Sequence, residues 1–263
     1  MKTAIELIPE NEKYLKEKIK SLSYCNYDII NLPHLKSRKD WKIFLSPEEI
    51  LQIKNLLPEN KNLILHLRTQ DSKNVWEAIK RIKKLLKKKI ELLLVTGDIY
   101  KENIDLITTW KVLNNLELQK NINVSADIYL ENWGRFNEKI EFLKRNIKSK
   151  IFTQPIFTYD KIDELEEKIK IFWLLQDKKD IFAWITWLSN NKQREYWKNI
   201  NLVPEKDLPK AHSDKNIKDI SLARATEIYK ELKNRWFSNY IMLMRWSVND
   251  ILKIQNKAEN ILY

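Results

Sequence analysis

Glycine is nearly missing from this sequence. The 263 residues include two glycines, Gly97 and Gly134, whereas a usual frequency of about 7% would give roughly 18. Two isolated glycines cannot build the glycine-rich loop of a phosphate site or the Gly-x-Gly-x-x-Gly turn of a Rossmann fold. They also exclude a Gly-x-Ser-x-Gly nucleophile elbow. Any bound phosphate or cofactor must therefore be held by side chains, helix N-termini or non-glycine backbone.

Cysteine and long apolar runs are scarce as well. The single cysteine, Cys25, excludes an internal disulfide and suits a reducing compartment. No apolar run approaches the ~20 residues of a membrane span, and residues 1–12 lack the apolar centre of a secretory signal. We therefore expect a cytoplasmic protein without a membrane partner. The histidines His34, His66 and His212 are far apart in sequence, so no metal site is expected.

The net charge of +12 invites a nucleic-acid interpretation. Acidic residues are nevertheless interleaved almost everywhere. The densest basic run, Lys80 to Lys89, carries Ile82, Leu85 and Leu86 at helical spacing. This pattern is typical of the solvated face of an amphipathic helix, and we expect no nucleic-acid partner.

Eight apolar segments alternate with amphipathic ones along the chain. They span residues 3–9, 27–32, 62–68, 91–96, 122–128, 150–154, 180–187 and 239–245. Segments that are apolar on both faces are typical of parallel strands covered by helices, and about 260 residues is the usual length of a (β/α)8 barrel. We therefore predict an α/β fold, a (β/α)8 TIM barrel forming a single catalytic domain over residues 1–263. A doubly wound open sheet is the alternative.

Prolines and capping residues set the predicted element ends. Pro33 is expected to end the second strand, because proline cannot donate to a ladder. Asp71 or Ser72 is expected to cap the third helix. The predicted helices span residues 10–22, 46–57, 75–89, 102–118, 137–147, 160–174, 189–199, 215–234 and 248–262.

Polar residues gather at the predicted C-terminal strand ends, where barrels of this type build their active sites. They are Glu6, Asn31, His66, Arg68, Thr96–Asp98, Ser125–Tyr129, Thr153, Gln154, Ser189 and Arg245. Carboxylates, one histidine and neutral hydrogen-bonding groups suit a conjugated ring with a polar edge. Ten tryptophans exceed what a core needs, so some are expected to stack on a ligand or face a partner subunit.

Six of these segments form an ordered series. They are Ile5–Pro9 (IELIP), His66–Asp71 (HLRTQD), Leu92–Asp98 (LLLVTGD), Val124–Asn132 (VSADIYLEN), Phe142–Ile147 (FLKRNI) and Ile151–Asp160 (IFTQPIFTYD). In order and spacing they resemble the strand-end motifs of the methylenetetrahydrofolate reductase family. The stretch from Ser221 to Trp246 resembles that family's last helix and strand.

The resemblance implies a flavoprotein of one-carbon metabolism and methionine biosynthesis. Such an enzyme binds FAD, which NAD(P)H reduces, and converts 5,10-methylenetetrahydrofolate to 5-methyltetrahydrofolate. By match, Glu6 would be the general acid that opens the folate's five-membered ring, Asp98 would tune flavin and pterin, and Gln154 would bind the pterin. The flavin site would be lined by His66, Gly97, Asp98, Ala126, Tyr129 and Arg145.

The sequence departs from the family at the flavin ribose and phosphate contacts. Thr96 replaces an arginine and Asn146 a basic residue, while Lys139 and Phe142 fall where an acid and an amide are expected. Two alternatives therefore stay open: a flavin-independent pterin or folate enzyme, and a non-catalytic barrel subunit of a one-carbon complex. A homo-oligomer or a partner subunit is compatible with all three.

Each candidate residue also has a plainer explanation. Glu6 or Gln154 could cap a strand end, and Asp98 could cap a helix N-terminus. His66 could be a core histidine with its hydrogen bonds satisfied.

Overall fold

The structure is a computed structural model. It describes residues 1–8, 12–34, 47–95, 109, 111, 122–125, 150–171, 180–199, 203–210, 213–243 and 248–259. Among the described helices, none combines the length and the hydrophobicity that crossing a bilayer requires.

Eight parallel strands form a closed ring. They are β1 (Thr3–Leu7), β2 (Ile29–His34), β3 (Asn62–Arg68), β4 (Glu91–Val95), β5 (Ile122–Ser125), β6 (Ile151–Ile156), β7 (Ile181–Ile185) and β8 (Ser238–Leu243). Each strand pairs with the next, and β1 pairs with β8 from Thr3↔Asn239 to Leu7↔Leu243. This closure separates the fold from the doubly wound open sheet, which has two unpaired edges.

Helices follow the strands wherever the connections are described. They are Glu12–Leu22, Pro47–Leu56, Val75–Lys87, Asp160–Ile171, Asn191–Asn199, Asp214–Asn234 and Val248–Glu259, with short 3-10 turns at Thr69–Asp71 and Glu205–Asp207. The predicted helices at 102–118 and 137–147 lie outside the described residues, apart from the helical positions Thr109 and Lys111. The described part is therefore an α/β barrel-like fold.

Several predicted element ends were wrong, and two of them concern a proline and a helix cap. β2 continues through Pro33 to His34, because it extends past its last register pair with β1, Asn31↔Glu6. The missing N–H of Pro33 therefore costs no bond to β1. The helix Val75–Lys87 is capped by Asn74, whose side chain accepts the Glu77 N–H, and not by Asp71 or Ser72.

The strands bury both faces, as their composition predicts. One set of alternating side chains packs under the helices, and the other fills the barrel interior. The interior set consists of Ala4, Ile29, Ile64, Leu93, Phe152, Phe182 and Tyr240. Residues that continue this inward alternation toward the C-terminal strand ends are therefore directed at the mouth of the barrel.

Candidate functional site

Glu6 is a buried carboxylate inside the barrel. Ala4, two residues earlier on β1, belongs to the interior cluster, so alternation directs Glu6 to the same side. Its register partners are Asn31 on β2 and Met242 on β8. The Glu6 side chain is 3% exposed, and a carboxyl group buried this deeply is expensive unless it is paired or used.

The described partner of this carboxylate is His66. Glu6 Oε2 lies 3.7 Å from His66 Nδ1, which is too far for a hydrogen bond. The two residues sit on β1 and β3, and side chains from alternate strands share a layer in such barrels. Both ring nitrogens of His66 are buried without a hydrogen-bond partner. The satisfied core histidine is therefore the wrong explanation for His66.

A second buried pair joins β2 to β8. Asn31 is completely inaccessible, and its Nδ2 donates to the Tyr240 hydroxyl at 3.3 Å. Its Oδ1 is buried with no hydrogen-bond partner. The sequence places Asn31 among the polar strand-end residues, but nothing in its local pattern shows that half of its amide would be left unpaired.

Aromatic rings adjoin these polar groups. The Phe152 and Phe182 rings stack with centroids 4.7 Å apart, and Phe152 meets Tyr240 edge-on at 5.2 Å. The ring centroids of Trp184 and Tyr240 are 5.5 Å apart. This interior aromatic group, Phe152, Phe182, Trp184 and Tyr240, keeps the site apolar, which strengthens the electrostatic interactions within it.

Gln154 lies at an irregularity of β6. Phe152 pairs with Phe182 and Pro155 with Trp184, so three steps along β6 match two along β7. The Thr153 hydroxyl bridges the irregularity, since it accepts the Trp184 N–H and donates to the Gln154 carbonyl, both at 2.9 Å. Irregularities of this kind re-aim side chains beside active sites. The Thr153 hydroxyl therefore satisfies the backbone groups at this irregularity, and the Gln154 side chain does not. Gln154 Oε1 is buried with no hydrogen-bond partner.

The end of β3 adds a residue that sequence reasoning missed. Arg68 holds Asp71 through two hydrogen bonds, Nε to Oδ2 at 3.3 Å and Nη2 to Oδ1 at 3.0 Å. Between them, Gln70 is 8% exposed, and neither atom of its amide has a partner. A polar residue in a strand–helix connection usually faces water, so the sequence carries no signal for this burial.

Comparison with known proteins identifies similar folds but no family for this chain. No protein-family model matches the sequence, and no curated protein matches it. The oxygenating constituent of 3,6-diketocamphane monooxygenase from Pseudomonas putida, solved with FMN, superimposes with a TM-score of 0.60 over 98% of this chain and 96% of its own, at 10% identity. The chain has an α/β-barrel fold.

Two further solved structures share this barrel. The coenzyme F420-dependent tetrahydromethanopterin reductase of Methanopyrus kandleri gives a TM-score of 0.55 at 8% identity, covering 98% of this chain and 97% of its own. Dihydropteroate synthase from Xanthomonas albilineans, with 7,8-dihydropteroate, gives 0.52 at 7% identity, covering 99% and 92%. Identities this low establish the fold alone. The methylenetetrahydrofolate reductase resemblance gains support from them only at that level.

Within the barrel, the predicted site residues divide into two groups. Glu6 and His66 are brought together, whereas Gln154 lies within β6, which continues to Ile156, and not at the predicted strand end. Five predicted residues fall outside the described part of the chain: Gly97, Asp98, Ala126, Tyr129 and Arg145. Across the described ranges, no group of three or more His, Cys, Asp or Glu side chains is arranged to hold a metal ion.

Proposed function

We propose that this protein is an oxidoreductase of the methylenetetrahydrofolate reductase type. It would reduce 5,10-methylenetetrahydrofolate, or a related pterin, to the 5-methyl form. The observation that carries the proposal is the buried Glu6 carboxylate facing the unpartnered ring of His66. An unsatisfied buried polar atom costs about 1–3 kcal/mol. Several in one barrel interior therefore favour a ligand that completes them over a purely structural role.

Glu6 would act as the general acid. Its proton passes to a nitrogen of the folate's five-membered ring, the carbon–nitrogen bond breaks, and the resulting iminium accepts a hydride. The carboxylate left behind would lie 3.7 Å from His66 Nδ1, where a positive charge on the imidazole would stabilise it. The neighbouring aromatic rings limit water, which keeps this proton from exchanging with solvent.

Ring recognition would fall to the unpartnered amides. Asn31 Oδ1 and Gln154 Oε1 are acceptors, and the amino-pyrimidine edge of a pterin carries adjacent N–H donors that match them. Both oxygens are covered in the described structure, so binding requires neighbouring side chains to open. A barrel of the same fold acts on tetrahydromethanopterin and another holds 7,8-dihydropteroate, which supports a pterin as the ligand.

A flavin is the electron carrier that the proposal implies. FAD, when bound, supplies the hydride taken from NAD(P)H. His66 fits a place beside the flavin ring because both its nitrogens lack partners, and a similar barrel binds FMN. The other residues proposed to hold the cofactor are Gly97, Asp98, Ala126, Tyr129 and Arg145.

The same proposal covers the rest of the chain. Residues 1–263 would form one catalytic (β/α)8 domain, with further helices in the connections on either side of β5. The protein would work in the cytoplasm on a small molecule rather than on nucleic acid or a membrane, alone, as a homo-oligomer or with a partner subunit.

A flavin-independent pterin enzyme is the second candidate. It is favoured by Thr96, Lys139, Phe142 and Asn146, which stand where flavin ribose and phosphate contacts are expected. The visible absorbance of the purified protein separates the two. A yellow protein supports the flavoenzyme, and a colourless protein that binds a reduced pterin supports the second candidate.

The decisive variant is Glu6→Gln. Loss of the general acid should lower folate reduction by about 10²-fold or more, while reduction of bound flavin by NAD(P)H continues. Glu17→Gln, at an exposed position of the helix Glu12–Leu22, is the matched control and should leave both activities unchanged. Full folate turnover in Glu6→Gln would show that Glu6 is not the acid.

A further inference from the structure

Trp184 stands at the boundary between the barrel interior and its mouth. It lies on β7, two residues beyond the interior residue Phe182, and pairs in register with Tyr240 of β8. It packs against the interior cluster and also against a mouth cluster at the strand ends. The mouth cluster consists of Phe157, Leu188, Trp197, Val203, Leu208 and Ile217, with Ile8 packed against it.

The exposure of Trp184 sets it apart from its neighbours. Phe182 and Trp187 on either side of it are fully buried, and Trp197 is nearly so, whereas Trp184 is partly exposed. A large aromatic side chain that is directed into a barrel and keeps accessible surface there has surface left for a ligand.

The ring of Trp184 packs against two aromatic neighbours. Trp197 meets it at 5.7 Å with an interplanar angle of 74°, and Tyr240 at 5.5 Å with an angle of 49°. Its backbone N–H is fixed by the Thr153 hydroxyl at 2.9 Å. Among the described ring contacts of Trp184, neither is a parallel stack.

The indole N–H gives a second reason to expect a ligand here. Trp184 Nε1 is buried without a hydrogen-bond partner, although a buried tryptophan usually finds one. A ligand acceptor that lies beside the indole edge would meet this donor once the indole shifts to receive it. A pterin has a planar pyrimidinone ring to stack and carbonyl and ring-nitrogen acceptors.

We infer that Trp184 is the stacking platform for the ligand ring and sets the site's preference for heterocycles with a planar pyrimidinone ring. The inference rests on the proposed pterin-binding function. It adds a residue for which neither the strand-end motifs nor the paired carboxylate and histidine account. The neighbouring rings of Trp197 and Tyr240 pack against this platform.

The test compares binding of two probes to the purified full-length protein. One is 5-methyltetrahydrofolate, and the other is 6-methyltetrahydropterin, which has the ring without the benzoylglutamate tail. Trp184→Leu should lower the affinity for both probes by roughly tenfold or more, because it removes the free energy that stacking of a base on an aromatic ring usually contributes. Trp184→Phe should weaken both by less, because a ring remains. Trp76→Leu, at a position 69% exposed on an outer helix, is the control and should bind as wild type.

Ligand-induced quenching of tryptophan fluorescence keeps the test valid if Trp184→Leu does not fold. Trp184→Phe removes the indole that the ligand covers, so the quench at saturation should shrink relative to wild type and to Trp76→Leu. An unchanged quench, or wild-type affinity in Trp184→Leu, overturns the inference and leaves the proposed function standing. A loss seen with the folate but not with the tailless pterin also overturns it. If the wild-type protein binds neither probe, the proposed function fails and the inference with it.

Discussion

On the outer helices charged side chains are paired, whereas at the mouth of the barrel polar atoms are buried and left without partners. Arg235 contacts Glu231, Asp163 and Glu166, tying the end of helix Asp214–Asn234 to helix Asp160–Ile171. Inside the barrel, His66 has two unpartnered nitrogens and Asn31 has an unpartnered oxygen. The Arg235 network of the helix layer is therefore internally satisfied, whereas several polar atoms of the barrel interior are left for a ligand to complete.

Two asparagines test this difference most strongly. Asn31→Leu should weaken binding of 5-methyltetrahydrofolate about tenfold, because the ligand loses an acceptor worth ~1.4 kcal/mol. Its free energy of unfolding should change little, since one weak hydrogen bond to Tyr240 is exchanged for apolar volume. Calorimetric titration and urea unfolding measure the two effects.

Asn74 is the matched counterpart on the helix layer. Its side chain accepts the Glu77 N–H at 2.9 Å, so Asn74→Ala should cost about 1 kcal/mol of stability and leave ligand binding unchanged. If Asn31→Leu destabilises as much as Asn74→Ala and binds the ligand normally, Asn31 is structural and the contrast between the two regions is lost.

The Arg235 network should contribute to stability and not to binding. The hydrogen bonds that Arg235 donates to Glu231 and Asp163 raise its pKa, against the opposing effect of burial. Arg235→Ala should lower the free energy of unfolding by about 1 kcal/mol, and less at high salt, because the pairs are partly exposed. Lys215→Ala, at an exposed position of the same helix, should be neutral. A change in pterin affinity in Arg235→Ala would contradict the division of roles.

Asp207 has an unpartnered buried atom outside the barrel interior, as Gln70 does. Burial raises the pKa of this carboxyl, against the pull of Lys161 and Lys206, and its Oδ2 has no hydrogen-bond partner. Because the native pKa of Asp207 lies above the unfolded value of about 3.9, the native state binds more protons than the unfolded state. The stability of the protein therefore falls as pH rises from the unfolded pKa through the native pKa of Asp207.

Asp207→Asn should therefore raise the melting temperature at pH 7 by ~2 °C and change it little near pH 3, where both states are protonated. Glu164 provides the opposite case. Burial opposes its charge, but hydrogen bonds from Lys161 and Lys168 lower its pKa overall, so its contribution is present at neutral pH and is lost as pH falls. If melting curves of Asp207→Asn and Glu164→Gln move in the same direction with pH, the assignments are wrong.

Cys25 should show the smallest effect. Burial raises the pKa of its thiol to about 11, so little thiolate is present at neutral pH. A thiol reagent should label the native protein slowly and the urea-unfolded protein fast. Fast labelling of the native protein would mean that the connection between the helix Glu12–Leu22 and β2, which contains Cys25, opens readily.

The sequence predicts the strands well and their ends less well. β3 is found at the predicted residues, Asn62–Arg68, because a polar flank bounds its apolar run on each side. Pro33 wrongly predicts a strand end. A proline breaks a strand pairing only where its N–H would be needed, and at Pro33 the pairing with β1 has already ended while the pairing with β3 continues. The prediction of Asp71 or Ser72 as the helix cap is wrong because the chain first makes the 3-10 turn Thr69–Asp71, so that the helix begins later and Asn74 caps it.

The site is predictable as a set of residues but not as a set of contacts. Glu6 and His66 can be identified as polar groups on apolar strands, and their meeting follows from the packing of alternate strands. The unpaired state of Asn31 Oδ1 and the burial of Gln70 depend on long-range packing. The predicted residues at 97–98, 126, 129 and 145 remain predictions, because they lie outside the described ranges.

Binding of 5-methyltetrahydrofolate to the wild-type protein tests the central claim most directly. Calorimetric titration should show saturable binding to one site, and the melting temperature should rise with ligand concentration because the ligand binds the native state alone. Glu6→Gln should still bind the ligand while failing to turn over the folate. Absence of both heat and thermal shift, in a protein whose folding is confirmed by circular dichroism, would show that the unpaired groups at the mouth do not form a pterin site.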